Sequence, residues 1–194
     1  RHEGLQDRDV ISTFSKSVRR ADVDASLYWL HLMLEAGEDP EFVARRLIIL
    51  AAEDIGLADP NALLQATAAS QALAYVGLPE AEYHLTQATI YCALAPKSDS
   101  VKRAMGSVKR LISDGPAPSV PIHLRGSGYG GAEKLGHGVG YDYSHDHDEH
   151  VVAQQYFPDG IEPTGLYEPT DQGRESGFKE RLAWLDEVFD RKRS

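Results

Sequence analysis

Between Arg45 and Pro60 the chain carries an apolar helix end (Leu47, Ile48, Ile49, Leu50), two adjacent acids (Glu53, Asp54), a glycine (Gly56) and an Asp-Pro pair (Asp59, Pro60). That order leaves few folds open. Asp39-Pro40 opens a helix, because aspartate accepts from free backbone N–H groups and proline suits the first turn. Gly56 is placed to close it, since glycine accepts the left-handed conformation that ends many helices. Asp59-Pro60 then repeats the opening device. The linker is only a few residues long, so the two helices pack as neighbours.

The acids in that linker invite a catalytic reading. Adjacent helical residues point about 100° apart, however, and do not converge on one substrate atom. On a helix Leu47, Leu50 and Asp54 share one face, and Arg46, Ile49 and Glu53 another. The structural expectation is that one acid accepts backbone N–H groups at the start of the next helix and the other meets an arginine. Glu53, Asp54, Gly56, Asp59 and Pro60 together form a structural hinge between two helices.

The rest of the first half is also helical in pattern. Val10, Ile11, Phe14 and Val18 recur at helical spacing. Asp22 caps a second helix over residues 24–36, ended by Gly37. Its run from Leu27 to Leu34 is apolar nearly all round, the mark of a helix covered on several sides or shared with another subunit. His31, in this run, reads as a core or interface histidine. A fourth helix, over about 60–76, is rich in alanine and stopped by Gly77. A fifth begins at Pro79, carries Leu85, Ala88, Thr89, Cys92 and Ala93, and is closed by Pro96. Ser98 or Asp99 caps a sixth, striped by Val101, Ala104, Met105, Val108, Leu111 and Ile112.

Several ordered stretches resemble the C-terminal region of the RarA/MgsA-type AAA+ ATPases, the replication-associated recombination protein A family, related to the Werner-helicase-interacting ATPase. They are Arg45 to Pro60, the segments 9–19, 25–30 and 33–40, Ala93-Leu94-Ala95-Pro96-Lys97-Ser98, and Val120-Pro121-Ile122-His123-Leu124-Arg125. Gln154-Gln155-Tyr156-Phe157-Pro158-Asp159 and Tyr167-Glu168-Pro169-Thr170 complete the set. The resemblance implies an all-α helical bundle like the collar domain of clamp loaders. It also implies a homotetramer and a role in rescue of stalled replication forks. Single-stranded DNA-binding protein enters as a candidate partner, and DNA through the full-length protein. ATP and Mg²⁺ belong to an ATPase module outside this chain. The Gly-x-x-x-x-Gly-Lys-Ser/Thr phosphate loop is absent, and Lys97-Ser98 follows proline. No catalytic, cofactor or metal residue is expected in this piece. The N-terminal Arg1-His2-Glu3-Gly4 reads as neither a signal peptide nor a natural start, so the chain reads as part of a longer protein.

Beyond Asp114 the composition changes. Gly115-Pro116-Ala117-Pro118 breaks the helical pattern, and residues up to about 173 are rich in Gly, Pro, Tyr and His. The expected division is a helical oligomerisation core over 1–115 and, over 116–194, an irregular arm with a closing helix. Glu133-Lys134-Leu135 reads as a remnant of a short helix. Thr170 or Asp171 caps the closing helix, striped by Phe178, Leu182, Leu185 and Phe189, with Trp184 and Val188 broadening it.

The net charge of −10 argues against a uniformly basic nucleic-acid binder. Lys102, Arg103, Lys109 and Arg110 form the best local basic patch. Its ordinary reading is a solvated helix face; its functional one is contact with DNA phosphates. His145, His147 and His150, with Asp146 and Asp148, offer metal ligands, but alternate His residues suit a loop and no site is expected. The single cysteine, Cys92, cannot form an internal disulfide and reads as a small buried residue. No run long enough to span a membrane occurs, and the expected location is the bacterial cytoplasm, near the nucleoid. Surplus apolar surface on the second and last helices points to self-association.

Overall fold

Helices form wherever a cap, an apolar period and a glycine or proline stop fall in register. The computed structural model describes residues 7–193, and Arg1-His2-Glu3-Gly4 lies outside them. Among the described residues there are seven α-helices and no strand, an all-α architecture as the sequence predicts. The helices are α1 (Asp7–Arg19), α2 (Val23–Glu35), α3 (Pro40–Leu50), α4 (Asn61–Val76), α5 (Ala81–Leu94), α6 (Ser100–Asp114) and α7 (Glu175–Arg193).

Residues up to Arg103, together with Pro169–Phe178, make one unit. Ala104–Glu168 and the residues from Lys179 onward make another. In the first unit α4 packs on α5 and α3, α1 on α2, α3 and α5, and α2 on α5. Phe14, Val18, Leu30, Val43, Leu47, Leu50 and Leu85 are buried at the centre. The alanines of α4 that face this core (Ala62, Ala66, Ala69) let the helices approach closely. The caps behave as predicted at Asp22, which accepts from the Ala25 N–H, and at Asp39, which accepts from Glu41.

The Arg45–Pro60 stretch departs from a plain helix–stop–helix. After Leu50 the chain makes one π turn, Ala51–Ile55, before Gly56 ends it at φ +52°. A short 3₁₀ turn, Gly56–Ala58, leads into α4. The extra residue of a π turn widens the helix locally and shifts the side chains that follow it. A Cβ at Gly56 would lie 3.3 Å from Val101 Cγ2, so the glycine serves both its φ and a close approach.

In the second unit a single antiparallel bridge joins Ser119 and Asp159. Short 3₁₀ turns, Glu133–Leu135 among them, punctuate the arm. Polar contacts organise it: His123 Nε2 lies 2.9 Å from the Gln155 carbonyl, and Arg125 Nε donates to the Val120 carbonyl at 3.0 Å. The end of α7 is tied to the arm, where Arg191 meets Glu149 at 3.0 Å and Lys192 donates to the Val151 carbonyl at 2.7 Å. The closing helix begins later than expected. Thr170 and Asp171 precede it by a turn, and Glu175 opens it. Within its apolar stripe Val188, expected only to broaden the face, is the fully buried residue, whereas Phe178 is exposed.

Candidate interaction surfaces

The two hinge acids are both engaged, each with a cation. Asp54 Oδ1 accepts from Arg19 Nε at 2.8 Å, and Glu53 Oε1 from Lys102 Nζ at 2.9 Å. The hydrogen bond from Lys102 holds the Glu53 carboxyl below its usual range, and the same bond raises the Lys102 ammonium. Arg19 is raised in turn by its bond to Asp54. This corrects the expectation that one acid would cap the next helix. Asp59 does so instead, accepting from the Asn61 N–H at 3.1 Å and from the Tyr91 hydroxyl at 2.7 Å. Asp54 Oδ2 is buried without a hydrogen-bond partner. Removing Arg19 would take from that carboxylate the donor that Oδ1 uses. Arg19→Ala is expected to destabilise the unit by about 1–3 kcal/mol, the half-exposed guanidinium keeping the loss below that of a fully buried pair. Urea unfolding monitored by circular dichroism measures it.

A second polar knot lies at the start of α7. Glu175 is fully buried, and its carboxylate accepts from Ser98 Oγ at 2.6 Å, Thr170 Oγ1 at 2.6 Å, the Thr170 N–H at 2.9 Å, and Ser100 Oγ. Burial alone would raise this carboxyl. The hydroxyl and amide donors outweigh it and hold it down at about 2. Ser98 Oγ also accepts from the Ser100 N–H at 3.2 Å, so the expected cap of α6 and this knot are one device. Beside it the Arg174 N–H donates to the Ala58 carbonyl at 2.8 Å. Sequence reading took Ser98 and Thr170 as helix caps and as points of resemblance, and did not see that Glu175 joins them.

Of the four basic residues on α6, Lys102 pairs with Glu53, and Arg103 Nε with Asp99 Oδ1 at 2.9 Å. Lys109 and Arg110 are exposed. The apolar stripe of the same helix is largely uncovered as well: Val101, Met105, Val108 and Ile112 all face solvent, Ile112 at 70 %.

The surplus apolar surface is larger on α4 and α5 than on α2, where sequence reading looked first. In α4 the positions Ala62, Ala66, Ala69 and Leu73 are buried, and Leu64, Ala68, Gln71 and Tyr75, two residues further on, are exposed. In α5 the buried set is Ala81, Leu85, Ala88 and Cys92, and the exposed set is Tyr83, Gln87, Ile90 and Leu94. Each helix therefore carries two opposed seams with the 4-3-4 spacing of helix-to-helix packing, since a two-residue offset turns the face by about 200°. Tyr75 is 94 % exposed, Tyr83 80 %, Leu64 66 % and Leu94 65 %. No residue of α4 is charged. That absence was the available signal: a surface helix normally gives its outer face to charged residues.

Cys92 sits on the inner seam, where burial pushes its thiol up to about 12, which makes it a packing residue and not a nucleophile. His147 bonds Asp142, while His145 Nδ1 lies 3.2 Å from His150 Nδ1. Among the described residues no cluster of three or more His, Cys, Asp or Glu side chains is gathered for a metal ion. No described helix is long and apolar enough to cross a membrane.

The comparisons with known proteins place this all-α chain in a family. The chain belongs to the MgsA AAA+ ATPase C-terminal family, whose model matches residues 20–186. It is 50 % identical over 191 residues, 98 % of its length, to an uncharacterized AAA domain-containing protein of Mycobacterium tuberculosis, covering 42 % of that protein. To the replication-associated recombination protein A of Haemophilus influenzae it is 42 % identical over 180 residues, covering 92 % of this chain and 40 % of that one. To the ATPase WRNIP1 of Dictyostelium discoideum it is 38 % identical over 161 residues, 82 % of this chain and 18 % of that one. The chain thus spans about two fifths of the length of these two bacterial proteins.

Proposed function

We propose that this chain is the self-association domain of a AAA+ ATPase that acts in recombination-linked maintenance of replication, and that it carries out no chemistry itself. The observation that carries this reading is the uncharged, solvent-facing seam of α4, repeated on α5. Apolar surface of that extent marks a protein–protein contact. Family membership and the names of the relatives supply the rest. A homotetramer resembling the clamp-loader collar would hold several ATPase modules together, with ATP and Mg²⁺ bound there and DNA met by the whole assembly. The test uses the full-length protein with and without this region. The intact protein is expected to sediment as a tetramer, and the truncated ATPase as a monomer with reduced DNA-stimulated ATP turnover. A truncated ATPase that keeps the full assembly would overturn the proposal.

Lys109 and Arg110 favour a second, subordinate role, contact with DNA phosphates from α6. Reversing both charges is expected to lower the salt dependence of DNA binding by about 1.4–1.8 in the log–log slope, since each phosphate contact contributes about 0.7–0.9. An unchanged slope removes this face from the DNA contact. Reversal of Lys102 and Arg103 should matter less, because their carboxylate partners already neutralise them.

A further inference from the structure

We infer that the outer faces of α4 and α5 pair with the same faces of a second copy of this chain, the two helix hairpins stacking antiparallel about a two-fold axis. This rests on the self-association reading and specifies its surface and symmetry.

Charge chooses the occupant. The chain carries a net charge of −10, so two copies repel wherever acidic surfaces meet. α4 has no charged residue, and the outward seam of α5, formed by Tyr83, Gln87, Ile90 and Leu94, has none either. Along these two seams the copies meet on uncharged side chains, the nearest acids, Glu80 and Glu82, lying beside the α5 seam and not on it. A nucleic acid finds no cation on this face.

The order of side chains chooses the symmetry. The outward seam of α4 begins with Leu64 and ends with Tyr75; that of α5 begins with Tyr83 and ends with Leu94. An antiparallel two-fold sets each tyrosine on a leucine: Tyr75 on Leu64 of the second copy, and Tyr83 on Leu94. Ala68 meets Gln71, and Gln87 meets Ile90, near the axis. A parallel arrangement would stack tyrosine on tyrosine and leave the leucines to each other. An isologous contact of this kind closes as a dimer, so a tetramer is built from two such dimers through a second contact.

A receiving hole is already present. His31, Tyr83, Thr86, Gln87 and Ile90, together with Pro79 and the acids Glu80 and Glu82, line a cleft of about 690 Å³ between α2 and α5. His31 Nε2 lies 3.0 Å from Thr86 Oγ1 within it. Leu94 of the second copy, opposite Tyr83, is the side chain in reach. The helices have 16 and 14 residues, so each is about 21–24 Å long. Set side by side, with their side-chain relief, they present a face on the order of the 800 Å² per partner that stable interfaces bury.

The test is the solution mass of Leu94→Arg and Leu64→Arg, with Ile112→Arg on α6 as the comparison. All three positions are exposed, so circular dichroism should remain that of the parent chain. The two seam variants are expected to lose at least half the assembled mass, while Ile112→Arg keeps it. In an oxidising buffer Gln87→Cys is expected to cross-link into a covalent dimer, since the native Cys92 is buried. If Leu94→Arg and Leu64→Arg assemble as the parent does, while Ile112→Arg dissociates, the surface lies on α6 and this pairing is wrong, with self-association intact. If the parent chain itself is a monomer, the self-association reading falls and takes this pairing with it.

Discussion

Glu175→Ala is expected to destabilise the first unit by about 3–5 kcal/mol, the largest loss from any single side chain outside the apolar core. The cause is not the carboxylate alone. Its removal leaves Ser98, Ser100 and Thr170 without their common acceptor. The Ser98–Ser100 turn also starts α6, so the loss reaches the helix that carries the basic residues and the exposed apolar stripe. Glu175→Gln should cost less than alanine, because the amide keeps one acceptor oxygen and adds a donor to a cluster of donors. Acid titration separates charge from shape. The Glu175 carboxyl lies at about 2 in the folded chain, below its ordinary value, so its contribution is complete above the unfolded-state value and is lost as pH falls towards 2. A depression of that size corresponds to about 3 kcal/mol. The parent chain should therefore lose stability steeply between roughly pH 4.5 and pH 2, and Glu175→Gln should lack that component. Denaturant midpoints across that range measure it.

Gly173→Ala is the second large effect, at about 2–4 kcal/mol. Gly173 adopts φ +53°, which an L side chain tolerates poorly. An added Cβ would sit 2.2 Å from the Ala58 carbonyl oxygen and 2.6 Å from Pro96 Cγ. Neither neighbour is the loose end of a flexible side chain, so backbone must move. The displaced oxygen is the one that accepts from Arg174, two residues from the end of the hinge and one residue from Glu175. Gly173→Ala and Glu175→Ala therefore attack one joint. The double variant should cost clearly less than the sum of the two, as a double-mutant cycle in thermal unfolding would show.

Most of the helices were legible because their ends are written in local chemistry. Asp22, Asp39, Asp59, Gly37, Gly56 and Gly77 mark boundaries through caps and positive φ, which depend on a few neighbouring residues. The core face of α1 was legible from period alone, whereas on α3 period separated two faces without choosing between them. What could not be read locally was partnership across the chain. The π turn shifts the residues that follow Leu50, and the tie from Asp54 runs back to Arg19, 35 positions away. Glu175 is one acid among several in a charged helix, and only the fold brings two serines and a threonine to it. Periodicity also misled on α6, whose clean apolar stripe reads as a core face and lies exposed. On α4 and α5 the inner and outer seams share one spacing, so the pattern looked like alanine-rich packing and not like two surfaces. The missing charges in α4 were the better clue.

Sedimentation equilibrium of this chain, across micromolar to hundred-micromolar concentration, tests the central claim most directly. The account predicts a multimer that approaches four times the 21.3 kDa of one chain and dissociates on dilution through a dimer. A single species of one-chain mass at the highest concentration, with Leu64, Tyr75, Tyr83 and Leu94 left in water, would contradict it.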